Sequence, residues 1–472
     1  MLAPTGICGL DDVIRGFPKG GLILVAGNPG TGKTVFSASY IYNGVLKYGE
    51  KGVYVSLSED KEAFYEYMNA FDMDFEKLEK EGLFEFISLL TLREDAVVSQ
   101  IQEIIDAISR MKAKRLVIDS FTALTQGVAD TRQLRVFLHS ILSKIIRDLS
   151  CTTILVEEVP YGDEEIGYGF EEFVADGILL LKTTRLDGRL FRELTIAKMR
   201  GTSVQNPDLA FTLTEGFRVF PPFRYRSPKE VKNFKAIPDK TAVFSTGIPD
   251  LDDILGGFAE GSTVLVEVDP RLRKEEYMLF ITPIILNYAK KGKGVIVIPP
   301  VGINYDDYLK MGELYSGLEK EFFRRFRMIE PAELLEEPIP EWVFSWRFKT
   351  PEEDYKIFLK VEKRLMDLCG SPPIRVIGAS MLAHYYGVDG AVTFANFDIA
   401  RVKRTRGLSI WLVEPVYPNL IDRLAPLAST YLKLTREHGC VIFYGIKPRT
   451  TLYAVELEAS KEYSELRLIP IT

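Results

Sequence analysis

The chain repeats itself, and no other feature of its 472 residues constrains the fold as much. TGICGLDDVIRGFPKGGLILV (5–25) is answered by TGIPDLDDILGGFAEGSTVLV (246–266), at a constant offset of 241 residues. RLVIDSFTALTQG (115–127) is answered by RVIGASMLAHYYG (375–387), and TILVEEVPYG (153–162) by IWLVEPVYPN (410–419). AKMRGT (197–202) is answered by GIKPRT (445–450). Matched blocks in the same order imply two copies of one domain, 1–222 and 241–472. The stretch between them, 223–240, is rich in proline and basic residues and reads as an exposed, fairly stiff connector. A contact with an anionic partner or a neighbouring subunit stays open for it. The second copy also carries a segment near 299–350 with no visible counterpart in the first.

Within the first copy, LILVA (22–26), VYVSL (53–57), LVI (116–118), TILV (153–156) and ILLL (178–181) are short apolar runs set between helical stretches. Unalternated and β-branched, they fit strands buried on both faces. The expected class is α/β, each copy a mostly parallel sheet with helices on both faces. A formal charge of −7 argues against non-specific nucleic-acid binding as the main activity. Cys8, Cys151, Cys369 and Cys440 are far apart, as are His139, His384 and His438, which speaks against a zinc site and for reduced thiols. The N-terminus reaches Asp11 and Asp12 before any apolar run, and no stretch approaches the ~20 apolar residues of a membrane helix. The expected location is cytoplasmic, without a membrane.

GNPGTGKT (27–34) matches G-x-x-x-x-G-K-[ST], directly after a strand and opening a helix. Gly27, Asn28, Pro29, Gly30, Thr31 and Gly32 would fold into a cradle whose backbone N–H groups face phosphate oxygens. Lys33 would lie along the β- and γ-phosphates, and Thr34 would offer its hydroxyl to Mg²⁺. RLVIDS (115–120) supplies the expected second metal anchor, Asp119, with Ser120 placed to sense the γ-phosphate. Glu59, ending VYVSLSE, is the expected carboxylate for the attacking water, or else an exposed cap of the next helix. Asp60 is the reserve, with Glu157 and Glu158 behind it.

GNPGTGKT, the Glu59 region, RLVIDS, GFEEFVADGILLL (169–181) and AKMRGT together resemble the KaiC branch of the RecA-type ATPases. The resemblance spans the first copy nearly end to end. It implies tandem RecA-like domains, ATP and Mg²⁺ as ligands, and a hexameric ring with nucleotide between subunits. It also implies that Lys198 and Arg200 match the family's Lys-x-Arg pair, which reaches into the neighbour's nucleotide as an arginine finger. The family usually has two adjacent glutamates where this chain has Ser58-Glu59, which implies slow turnover.

The second copy reads as eroded. Alignment puts Val268, Arg271, Arg273 and Glu275 on Gly27, Gly30, Gly32 and Thr34, keeps Lys274 on Lys33, and puts Ala379 on Asp119. Side chains then stand where backbone must approach phosphate. Arg271, Arg273 and Lys274 could hold another anion or form a solvated loop. Lys447 and Arg449 remain where Lys198 and Arg200 sit. The leading expectation is an oligomeric ATPase switch whose second domain is structural or binds a protein partner. A DNA-associated ATPase and a nucleotide-gated scaffold with negligible hydrolysis are the alternatives. Nucleic acid is disfavoured by the acids at 157, 158, 163, 164, 165, 171, 172 and 176, with no Lys or Arg before Lys182.

Overall fold

The computed structural model describes residues 2–89, 97–120, 149–161, 174–224, 234–314, 320–335, 338–459 and 464–472. The expectations placed on Asp163, Glu164, Glu165, Glu171 and Glu172, and on residues 225–233 of the connector, fall outside them. The chain forms two compact units. One comprises Met1–Pro222 with His438–Cys440 and Pro470–Thr472, the other Phe223–Glu437 and Val441–Ile469.

In the first unit the apolar runs become strands. β1 (Leu22–Gly27) leads through the glycine loop into α1 (Lys33–Tyr48). Then come β2 (Gly52–Ser56), α2 (Lys61–Asn69), β3 (Phe84–Ser88), α3 (Val97–Met111), β4 (Arg115–Asp119) and β5 (Thr152–Glu158). β6 (Gly177–Leu186), β7 (Arg189–Met199), β8 (Asp208–Thr212) and β9 (Arg218–Phe220) complete one sheet, ordered β9-β8-β7-β6-β1-β5-β4-β2-β3. The pairings from β6 to β3 are parallel, whereas β7, β8 and β9 add an antiparallel wing. Side chains alternate across β1: Ile23 and Val25 join a core with Phe36 and Ile41 of α1, and Leu22 and Leu24 join one with Ile104 and Ile108 of α3. Helices therefore cover both faces, which leaves the strands' C-terminal ends as the open edge where such sheets place ligands.

The second unit repeats the plan. β10 (Ser262–Val268), α4 (Lys274–Lys290), β11 (Val295–Ile298), α5 (Tyr305–Leu314), β12 (Phe326–Pro331) and β13 (Val343–Trp346) are followed by α6 (Pro351–Cys369) and β14 (Ile374–Gly378). α7 (Ala379–Thr405), kinked at Gly387, leads to β15 (Leu408–Val413), β16 (Thr430–Glu437), β17 (Cys440–Lys447), β18 (Tyr453–Ala459) and β19 (Ser464–Pro470). The order is β13-β12-β11-β14-β15-β10-β16-β17-β18-β19. β12 pairs parallel with β11 as β3 does with β2, so half of the segment near 299–350 has a counterpart after all; β13 is the added strand. A buried knot holds its α6–α7 side: Arg375 pairs with Glu362 and with Asp398 at 2.9 Å, and Asp398 also accepts from Ser409 and Trp411. No helix among the described residues is long and apolar enough to cross a membrane.

Candidate functional site

The loop between β1 and α1 has the backbone its glycines allow. Gly30 (φ 77°) and Gly32 (φ 97°) occupy left-handed conformations that a side chain would strain. At Gly27 the constraint is space, because a Cβ there would lie 2.3 Å from the Leu181 carbonyl oxygen. A Cβ on Gly30 would meet nothing within 4 Å, so the rim of the loop opens on free volume. The Lys33 ammonium folds inward and donates to the Gly27 and Asn28 carbonyls, both at 2.9 Å. Burial lowers its pKa, against the raising fields of Glu158 and Asp119.

The second anchor arrives through sheet register. Ser56 of β2 pairs with Asp119 of β4, and Gly27 of β1 pairs with Glu158 of β5, so these strand ends converge beside the loop. The Thr34 hydroxyl donates to Asp119 Oδ2 at 2.9 Å, and the Tyr54 phenol donates to the same oxygen at 2.6 Å. Burial pushes the Asp119 carboxyl above the usual carboxylate range, while both hydroxyls and the Lys33 charge pull it down. A hydroxyl and a carboxylate, oxygen donors only, suit a hard cation such as Mg²⁺. Ser120 follows, buried at the end of β4.

Glu59 faces this group. Burial and then the charges of Asp119 and Asp60 raise its pKa. The helix cap belongs to its neighbour: Asp60 accepts from the Ala63 amide at 2.8 Å and caps α2, which leaves the Glu59 carboxylate available to the site. Asn28 donates to the Val159 and Pro160 carbonyls, and the Tyr161 phenol donates to Pro29, so the segment after β5 is tied to the loop by these side chains. Thr31 turns its hydroxyl back onto Asn28. Three contributors escape the motif: Tyr54, an apolar-looking member of a strand run; Glu158, whose charge acts on both Lys33 and Asp119; and Arg192 of β7, whose guanidinium comes within 3.5 Å of the Gly30 and Thr31 carbonyls.

Lys198 and Arg200 lie at the other end of the sheet. Lys198 pairs with Ile178 and the Arg200 amide bonds to Asp176, both level with the start of β1, whereas the loop is level with Leu181. At ~3.3 Å per residue, three and five residues separate Lys198 and Arg200 from their own chain's loop by about 10 Å and about 17 Å along the strands. Arg200 forms an exposed ion pair with Asp176.

The family model described as "ATPase: KaiC" matches residues 3–222. A UPF0273 protein of Methanocaldococcus jannaschii is 36% identical over 233 residues, covering 46% of this chain and 95% of that protein. The chain belongs to the KaiC-like family of RecA-type ATPases. The circadian clock oscillator protein KaiC of Synechococcus elongatus is 32% identical over 275 residues, 55% of this chain and 51% of that one, so the match spans about half of that relative. A solved KaiC-like protein of Pyrococcus horikoshii is 36% identical, covering 47% of this chain and 99% of its own, with a TM-score of 0.43.

The equivalent loop of the second unit does not repeat the backbone of the glycine loop in the first. Arg273, in place of Gly32, has φ −73°, and Arg271, in place of Gly30, is not in the left-handed region either. The basic side chains are exposed, as a solvated loop would have them, but each is taken up by a carboxylate rather than free for an anion. Arg271 bonds Asp269 and Glu437, both at 2.8 Å; Arg273 caps α4 with Glu276; Lys274 pairs with Asp307 at 2.8 Å. Those bonds hold the Asp269 carboxyl well below the usual range, against burial. Register also corrects the alignment. Gly378, not Ala379, stands where Asp119 does, since Gly378 pairs with Leu412, whose partner on β10 is Val266, the match of Val25. The carboxylate is lost either way. Lys447, the counterpart of Lys198, donates to the Ala428 carbonyl at 2.7 Å.

Proposed function

We propose that the first domain binds ATP with Mg²⁺ and hydrolyses it slowly, within a cytoplasmic ring of identical chains, hexameric as the resemblance implies, that serves as a regulatory switch. The second domain is a nucleotide-free partner that offers a surface to another protein. The convergence of Lys33, Thr34, Asp119 and Glu59 at the glycine loop carries this reading. Mg²⁺ would sit between Thr34 and Asp119 and draw charge from the triphosphate. Lys33 exchanges the Gly27 and Asn28 carbonyls for phosphate oxygens, and Glu59, with its raised affinity for a proton, orients and deprotonates water. The distance of Lys198 and Arg200 from their own loop supports a role toward a neighbour's nucleotide, with Arg200 leaving Asp176 on assembly. A single carboxylate at 58–59 supports slow turnover, and Glu157, Glu158 and Asp176 weigh against nucleic acid as ligand.

Native mass with and without Mg·ATP tests the ring and its stoichiometry, expected at one nucleotide per chain. ADP release tests the chemistry: Glu59→Gln is expected to lower turnover at least 100-fold. Equal rates would remove Glu59 from the reaction and leave a nucleotide-gated scaffold.

A further inference from the structure

We propose that Tyr54 is a positioning residue of the metal site, its phenol holding one oxygen of Asp119 so that the carboxylate keeps one orientation toward the cation. This rests on the Mg·nucleotide reading above and extends it to a residue that touches neither ligand.

Tyr54 stands mid-strand on β2 and is 1% exposed. Its ring is clamped by Phe64, centroids 4.5 Å apart, and stacks on Phe86 at 5.9 Å, a setting a phenylalanine would fill equally well. The hydroxyl is therefore a deliberate addition, because a phenol carried into a core costs stability unless it finds a partner. It finds Asp119 Oδ2 at 2.6 Å, shorter than the 2.9 Å bond from Thr34 to the same oxygen. The two donors differ in what a metal does to them. Thr34 is the hydroxyl the motif assigns to Mg²⁺, and on turning to the cation it gives up Oδ2. Tyr54, fixed by its aromatic neighbours, has nowhere else to point. It would remain the donor on Oδ2 and leave the other carboxylate oxygen of Asp119 for the cation. Outer partners of this kind commonly set metal affinity by 10- to 100-fold.

The experiment compares wild type, Tyr54→Phe and Asp119→Asn in two titrations: ADP binding in EDTA, and Mn²⁺ binding to the ADP complex followed by electron paramagnetic resonance. Tyr54→Phe is expected to bind metal-free ADP within about two-fold of wild type and to bind Mn²⁺ roughly 10- to 100-fold more weakly, with an altered resonance from the bound ion. Two results would overturn the proposal: Mn²⁺ affinity unchanged in Tyr54→Phe, or equal weakening of metal-free ADP and of Mn²⁺, which marks a merely structural tyrosine. Asp119→Asn separates the two readings. If Mn²⁺ binds that variant as it binds wild type, the metal assignment itself fails. If only Tyr54→Phe is silent, the metal assignment stands and the positioning role falls.

Discussion

Replacing Asp119 by Asn separates the cost of that carboxylate from its use. The side chain is 7% exposed, and burial raises its pKa despite two hydroxyl donors and the nearby Lys33 ammonium. A carboxyl with a raised folded-state pKa stabilises the fold below its unfolded value and loses that contribution as pH rises through the folded one. At neutral pH without metal, the ionised Asp119 is thus a net burden. Asn keeps the shape and one acceptor for the hydroxyls but carries no charge. The metal-free variant is expected to be more stable than wild type at pH 7, each ~1 kcal/mol of gain raising the melting temperature of a unit of this size by roughly 2–4 °C. Saturating Mg·ADP reverses the order. Wild type gains about 2.7 kcal/mol at a hundredfold excess over Kd, and the variant keeps only the metal-independent part. Scanning calorimetry in EDTA and in Mg·ADP, at pH 7 and pH 4, should show melting curves that exchange places at pH 7 and nearly coincide at pH 4 in EDTA. A variant that melts lower than wild type in EDTA at pH 7 would refute the reasoning.

Gly27→Ala should abolish ADP binding measured by calorimetry and cost about 2–3 kcal/mol, because the new methyl would sit 2.3 Å from a backbone oxygen. In the second unit, burial pushes the Glu330 carboxyl up to about 7, so stability is lost as pH rises from the ordinary glutamate value through about 7. Glu330→Gln should flatten that fall and gain on the order of 2 kcal/mol at pH 8 in urea titrations. Arg375→Met leaves Glu362 and Asp398 facing each other without their shared cation and should cost roughly 3–5 kcal/mol. Triple replacement of Arg375, Glu362 and Asp398 by apolar residues should recover most of that loss by the same measurement.

The glycine loop, its strand and its helix were legible because tight backbone leaves a mark in sequence: positions 30 and 32 need φ near 77° and 97°. Asp119 was legible because an acid that ends an apolar run stands out beside a glycine loop. Tyr54 was not, since an aromatic residue within such a run reads as core and its hydroxyl partner is 65 residues away. Arg192 reads as an ordinary strand charge, and its approach to the loop depends on which strand joins β6, a fact that hydrophobic pattern does not carry. The erosion of the second copy was plain from its side chains, but its replacement was not. Asp269 and Glu276 flank the arginines in the chain, but Glu437 and Asp307 lie 166 and 33 residues from Arg271 and Lys274, and only folding brings them there. The slip between Ala379 and Gly378 has the same origin. Both alignments keep a small residue after an apolar strand, and only hydrogen-bonded register tells them apart.

On the function proposed above, the cross-bonded loop at 269–276 would make the second unit indifferent to the cell's energy charge. Ligand linkage stabilises only what binds the ligand, so a fall in ATP would loosen the glycine loop of the first unit while the arginine–carboxylate clasp of the second stayed shut. In a starved cell the protein would keep one half in a constant shape, a fixed handle against which a change in the other half can be felt.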